Sequence, residues 1–383
     1  MKRCLPIAIA LLCASLLTGC LDLAGGSNVA TTKMLGKIML PRFVAHGANS
    51  QDVSMVQGKL DARPTDNWCA IWSDLAKDYE EKGQKNLEDN NMDDAKYQLL
   101  KAHVYYRIAS YPFPADSERK AAYTHSVELF RQYIKFMDNP PKLISFSHET
   151  KRIEGYLRIP RKDQKVPLVI VLPGIDWTKE ECFWFEDQFL DKGFATFSMD
   201  IPGTGSAEWA LRNDSERMVQ KAVEYFKKDS SVLPDKIFIV GFNFGGYWAL
   251  RAAAKDPDIR GVVAVDAPVH YAFDRNYLNQ MPRFMADMFI KITGARDYQD
   301  MFKIMSSLSL KDQDLLRTIN CPLLIMGAGR EMFIPKEDLY LFSDEIKRPT
   351  ALKIFPKQQY GMVDNYQSEV YPTIANWLEE QAR

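Results

Sequence analysis

Residues 241–250 read GFNFGGYWAL and follow the apolar run KIFIV. A glycine two positions before and two after a central residue is the spacing of a tight strand-to-helix turn that lifts a nucleophile above a sheet. Asn243 stands at the centre of that turn. A carboxamide nitrogen does not attack a carbonyl at neutral pH, so the turn is kept while the attacking atom is replaced. Gly241 and Gly245, backed by Gly246, supply the small neighbours such a bend demands. Asparagine is one of the few non-glycine residues that tolerate positive φ.

The partners such chemistry would need can be sought by position. An acid belongs after the strand-like run PLLIMGAGREMFIP, where Glu331 falls. A base belongs after TALKIFP, in KQQYGM, where Tyr360 occupies the histidine position. A phenol with a pKa of about 10 is protonated at neutral pH and makes a poor general base. Of the five histidines, His46, His103, His125 and His148 fall in the expected tether, helical region or early hairpin. His270, in VDAPVHYAF, follows a strand, with Asp266 and Asp274 near enough in sequence to orient it or polarise a water. The plainer reading makes His270 a satisfied histidine and the two aspartates a cap and a surface ion pair. Backbone N–H groups near Ile175, in LPGIDWTKEE, and at Phe244 could form an oxyanion hole. Asp200, in SMDIPGTGS, reads as a residue that shapes a turn. Donors without a nucleophile suit binding a carbonyl or ester-like ligand better than cleaving one.

Positioning these residues requires a sheet. KLISFSHE and RIEGYLRIP alternate at period two and predict an antiparallel pair. PLVIVLPG, GFATFSMDIPG, KIFIVGF, RGVVAVDAP, PLLIMGAG and TALKIFP are apolar runs separated by helical stretches. That alternation predicts an α/β fold with a mostly parallel, doubly wound sheet over 141–383. Residues 270–318, rich in Met and Phe, delay the next run and read as a lid insertion. VYPTIANWLEEQ predicts a closing helix. Before the sheet, 63–140 reads as a helical domain of about three helices, with Trp68, Trp72, Leu75 and Tyr79 on one stripe. AGGSN and mixed polar sequence over 20–62 read as a tether.

The paired tryptophans, LPGIDWTKEE, DIPGTGS, the glycine elbow and APVH together resemble the FrsA-like (fermentation/respiration switch protein) branch of the α/β-hydrolase superfamily, over roughly residues 65–383. The resemblance implies an α/β-hydrolase core, an N-terminal helical cap and small ester or ketone substrates handled without a metal. It places the serine, acid and histidine of a working triad at Asn243, Glu331 and Tyr360.

The first residues depart from that pattern. MKR, an apolar stretch and LTGC form a signal peptide over 1–19 that resembles a bacterial lipobox, predicting lipid attachment at Cys20. The apolar run is too short to span a bilayer comfortably. Leu21 rather than aspartate after the cysteine favours the outer membrane of the cell envelope. Cys4 and Cys13 leave with the signal, so Cys69, Cys182 and Cys321 remain and no disulfide scaffold is possible. A net charge of −1 offers no nucleic-acid surface. No metal-ligand spacing stands out, and no cofactor is expected. The sequence therefore predicts a membrane-anchored pseudo-hydrolase that binds a small carbonyl ligand or a protein partner. The alternative is a hydrolase with displaced catalytic residues.

Overall fold

The computed structural model describes residues 39–62, 68–112, 116–160, 164–331, 333–346, 350–359 and 366–383. Its centre is an eight-stranded sheet of order β1-β2-β4-β3-β5-β6-β7-β8. The strands are β1 Lys142–His148, β2 Lys151–Arg158, β3 Val166–Leu172, β4 Ala195–Met199, β5 Val232–Phe242, β6 Gly261–Val265, β7 Leu323–Arg330 and β8 Thr350–Gln359. The predicted hairpin is present, with Lys142 opposite Leu157 and His148 opposite Lys151. From β4 through β3 to β8 every neighbour is parallel.

The parallel strands are apolar throughout because both faces are covered. In β3, Leu168, Ile170 and Leu172 face one core with the helices Arg217–Phe226 and Phe244–Ala253. Val169 and Val171 face the other, against Phe183–Asp191 and Tyr371–Ala382. Each such side chain contributes about 1.5–3 kcal/mol by leaving water. The doubly wound α/β sheet is therefore as predicted.

The helical region departs from expectation at its start. Three predicted helices are present, Trp68–Glu88, Met92–Ala109 and Ser117–Tyr133. Residues 39–45 and Ser50–Ala62 are also helical, where a tether through residue 62 was expected. Met39, Phe43, Val53, Val56 and Leu60 are buried with Trp68 and Trp72 in one cluster. The physical reason is periodicity: Val53, Val56 and Leu60 recur at spacings of three and four, a core stripe among polar neighbours. The expected signal peptide, Cys20 and the rest of 1–38 lie outside the described residues.

The insertion over 270–318 folds as the helices Arg275–Leu278, Arg283–Thr293 and Tyr298–Ser306. Met288, Phe289, Ile292, Met301 and Met305 join the core on the elbow side of the sheet. Phe289 packs 5.5 Å, centroid to centroid, from Phe244 beside the elbow. Cys69 and Cys182 are buried free thiols and Cys321 is half-buried; burial pushes the Cys321 thiol up to about 11.

Candidate active site

β5 ends at Phe242 and a helix begins at Phe244, leaving Asn243 to turn the chain alone. Its backbone sits at φ 50°, ψ −119°, a sparsely populated region. The Asn243 N–H donates to the Val265 carbonyl at 2.7 Å. The flanking glycines are obligatory. A Cβ on Gly241 would lie 2.2 Å from the Gly245 carbonyl oxygen, and one on Gly245 the same distance from that of Leu172. The side chain of Asn243 then folds back on its own turn: Oδ1 accepts the Phe244 N–H at 2.9 Å. That N–H is one of the two donors expected for an oxyanion hole, and here it is already engaged.

The next strands carry two carboxyl groups. Asp266 follows β6 with φ 46°, a second non-glycine residue in the left-handed region, on the strand beside the first. Its N–H donates to the Met326 carbonyl at 2.8 Å. Its Oδ1 accepts the Ala328 N–H at 2.8 Å, while Oδ2 is buried with no hydrogen-bond partner among the described residues. Burial and then the Glu331 charge push this carboxyl well above the ordinary aspartate range. Glu331, one residue past β7, accepts the Phe333 N–H at 2.9 Å. It lines a cleft of about 470 Å³ with Tyr271, Asp274, Tyr277 and Lys336. The Tyr277 phenol is pushed up to about 12 by burial, then by the Glu331, Asp338 and Glu337 charges. Asn243, Asp266 and Glu331 thus stand at the carboxyl ends of three consecutive strands, β5, β6 and β7.

His270 does not join this row. Its Nδ1 lies 2.8 Å from Ser309 Oγ and 3.7 Å from Asp312 Oδ1. The backbone around it is fixed by the buried Asp338 carboxylate, which accepts N–H bonds from Val269, His270, Tyr271 and Ala272. Asp274 caps the helix Arg275–Leu278 by accepting the Asn276 N–H at 2.8 Å. In place of the expected pairing with Asp266 or Asp274, His270 meets Ser309 and Asp312 of the insertion. Tyr360 lies outside the described residues.

The loop after β3 closes the site from the other side. Ile175 is buried there, and a Cβ on Gly174 would lie 2.9 Å from Asp176 Oδ1 and 3.4 Å from Asn243 Cβ. Two arginines from the helical region hold this loop. Arg42 pairs with the Asp176 carboxylate, and the Asp176 carbonyl accepts from Arg42 at 3.2 Å and Arg107 at 2.8 Å. Arg107 also meets Glu181 at 3.0 Å, with His46 Nδ1 3.6 Å from the same carboxylate. Burial alone would raise the Glu181 carboxyl, but Arg107, the nearby His46 ring and Arg42 outweigh it and hold it well below the glutamate range. Sequence reasoning missed Arg42, His46 and Arg107, because nothing local marks a basic residue as the partner of an acid some seventy to one hundred and thirty positions away. The density of charge in DWTKEE was the one hint, since buried charges need partners. Asp200 does shape a turn, accepting from Ser206 N at 3.0 Å and from Lys179 N and Nζ at 2.9 and 2.7 Å. Among the described residues no group of three or more His, Cys, Asp or Glu is placed to hold a metal ion.

Known proteins share this architecture. The family model described as Esterase FrsA-like matches residues 38–383. Esterase FrsA of Photobacterium profundum is 24% identical over 353 residues, covering 90% of this chain and 83% of that one. The 2,6-dihydropseudooxynicotine hydrolase of Paenarthrobacter nicotinovorans is 25% identical over 287 residues, covering 74% and 76%. Among solved structures, a 2,6-dihydroxy-pseudo-oxynicotine hydrolase superposes with a TM-score of 0.77 at 21% identity, covering 89% of this chain and 95% of that one. AbyA5 superposes at 0.65 with 18% identity, covering 80% and 89%. At these identities the structural likeness speaks for the α/β-hydrolase fold.

Proposed function

The chain belongs to the Esterase FrsA-like family of α/β-hydrolases, and from that premise we propose that it is a pseudo-hydrolase, keeping the family's pocket to bind a small carbonyl or ester-like ligand without acyl transfer. One observation carries this reading: the Asn243 carboxamide oxygen sits on the Phe244 N–H. The residue that should attack instead satisfies a donor that should stabilise the oxyanion. The tyrosine at position 360 compounds the loss, since removing a triad member costs on the order of 10⁴–10⁶ in rate. LTGC at residues 17–20 supports lipid attachment at Cys20 and hence a ligand-binding body tethered to the cell envelope, the outer membrane being favoured. A protein partner bound on the same body is compatible with that role.

A second reading keeps hydrolysis with non-standard residues. It is favoured by the buried Asp266 Oδ2 beside the elbow strand, which has no hydrogen-bond partner among the described residues. An ester and thioester panel on the full chain in detergent separates the two. The first reading expects no turnover, no fluorophosphonate labelling, and gained activity in Asn243→Ser with Tyr360→His. Turnover by the natural chain, abolished by Asp266→Asn, would overturn it. Metabolic labelling with an alkyne fatty acid tests the anchor: label lost in Cys20→Ser is expected, and no label in the natural chain refutes it.

A further inference from the structure

We propose that residues 39–47 form a latch over the loop beside the elbow, and that a proton taken up by His46 releases it. What the latch guards is the elbow pocket of the binding reading above, on which this regulation rests; its release is followed without any ligand.

The contacts of this segment run directly to the site. A short helix over 39–45 ends in a turn at His46 and Gly47. Arg42 pairs with the Asp176 carboxylate, and its guanidinium lies 5.0 Å from the centroid of the Trp177 ring. The His46 ring meets the same indole in a T-shaped contact at 4.4 Å. Trp177 in turn stacks at 5.1 Å on Phe242, the residue before Asn243. Gly47, at φ 97°, sits so close to Trp184 that a Cβ there would lie 2.2 Å from its ring. Lys101 Nζ donates to the Gly47 carbonyl at 2.6 Å.

His46 is the point at which a proton strains this junction. Both of its ring nitrogens are buried with no hydrogen-bond partner among the described residues. Charged groups face it from each packed element: Arg42 from its own helix, Asp176 and Glu181 from the loop after β3, and Arg107 from the helix Met92–Ala109. His103 and Tyr111 line the same small cavity, and Tyr366 stands 6.4 Å away, ring to ring. Among the described residues, the two arginines balance the two carboxylates while the imidazole is neutral. Protonation adds a third positive charge. Glu181 is poorly placed to absorb it. One of its oxygens is 3.6 Å from Nδ1, beyond hydrogen-bond reach, and the other already holds Arg107 at 3.0 Å. Water does no better, because the cavity of about 10 Å³ has room for about one molecule, whereas an imidazolium carries two N–H donors. Burial, with Arg42 behind it, outweighs Glu181 and holds the imidazole below its ordinary 6.5. Proton uptake therefore favours the state in which 39–47 has lifted and water reaches the ring. Lifting withdraws Arg42 from Asp176 and His46 from Trp177, which uncovers the ground beside Asn243.

Hydrogen exchange of the full chain in detergent, read by mass spectrometry from about pH 7.5 to about pH 5, tests the latch. After correction for the intrinsic pH dependence of exchange, protection of 39–47 should fall at least about tenfold. The midpoint should lie below 6.5, while Trp68–Glu88 keeps its protection. In His46→Gln the segment should stay protected throughout, since glutamine takes up no proton. Should that variant fail to fold, the natural chain decides alone: a midpoint at or above 6.5 excludes a buried imidazole as the sensor. Protection indifferent to pH, a loss undiminished in His46→Gln, or a loss shared in step by Trp68–Glu88 each overturns the proposal. Ester turnover by the natural chain would instead defeat the pseudo-hydrolase reading and leave the latch standing, so the two failures are distinguishable.

Discussion

The Asn243 carboxamide oxygen accepts the N–H of Phe244 at 2.9 Å, so the turn that should present a nucleophile caps itself. Two effects can then be separated by substitution. Asn243→Ala loses the cap and must place a Cβ-bearing residue with no compensating bond at φ 50°. Asn243→Gly loses only the cap. We expect Ala to cost about 2 kcal/mol and Gly less than about 1 kcal/mol. Chemical denaturation of the two variants checks the order, and Gly being the worse would refute it.

Gly245 leaves no room at all. A methyl there meets the Leu172 and Pro173 carbonyl oxygens at 2.2 and 2.5 Å, both backbone atoms. Gly245→Ala should therefore cost more than about 3 kcal/mol or abolish soluble expression, because the β3 loop and the elbow cannot both stay in place. Gly58→Ala, where a Cβ meets nothing within 4 Å, is the control and should be neutral or mildly stabilising in its helix.

Arg107 joins the helical region to the loop over the elbow through the Asp176 carbonyl and Glu181. Arg107→Met should destabilise by about 3–5 kcal/mol, since Glu181 is left buried without its main counter-charge. Glu181→Gln in the same chain should recover part of that loss. Equilibrium unfolding of the single and double variants measures the coupling, and strict additivity would contradict it.

Acid should unfold the chain in two stages. Burial lowers the His103 imidazole from its ordinary 6.5 to about 4, and burial also lowers His46. Between those values the unfolded chain binds more protons, so this stability is complete above about pH 6.5 and is lost as pH falls toward 4. Glu181 is depressed, so its contribution is present above its ordinary 4.5 and is lost as pH falls further. His103→Gln should reduce the slope of stability between pH 6.5 and 4 by up to about 1.4 kcal/mol per pH unit. An unchanged slope would show that His103 is not buried neutral.

Asp338 collects four N–H groups from Val269 to Ala272 at 2.7–3.2 Å. An asparagine there offers one acceptor and turns an NH₂ toward the other donors. Asp338→Asn should cost about 3 kcal/mol and open the insertion to limited proteolysis within 270–318. Cleavage sites unchanged from the natural chain would remove Asp338 as the clamp on that segment.

Local pattern carried much of this protein. Apolar runs bounded by glycine and proline identified β3 to β8, because a strand buried on both faces must be apolar throughout. The elbow was legible for the same local reason, since a bend that tight excludes side chains and leaves its glycines in the sequence. The helices over 39–62 were missed where polar residues outnumbered a three-residue stripe.

Long-range pairing was decided only by the fold. Asp266 reads in sequence as one more acid after a strand; its place between Asn243 and Glu331 exists because β5, β6 and β7 lie side by side. His270 lies four residues from Asp266 in sequence, yet its ring turns to Ser309 and Asp312 instead. Arg42 and Arg107 find Asp176 only after the helices pack on the sheet. Side-chain periodicity and steric demand act over a few residues and are written locally. Charge pairing acts through space, and only tertiary structure decides which buried charges become neighbours.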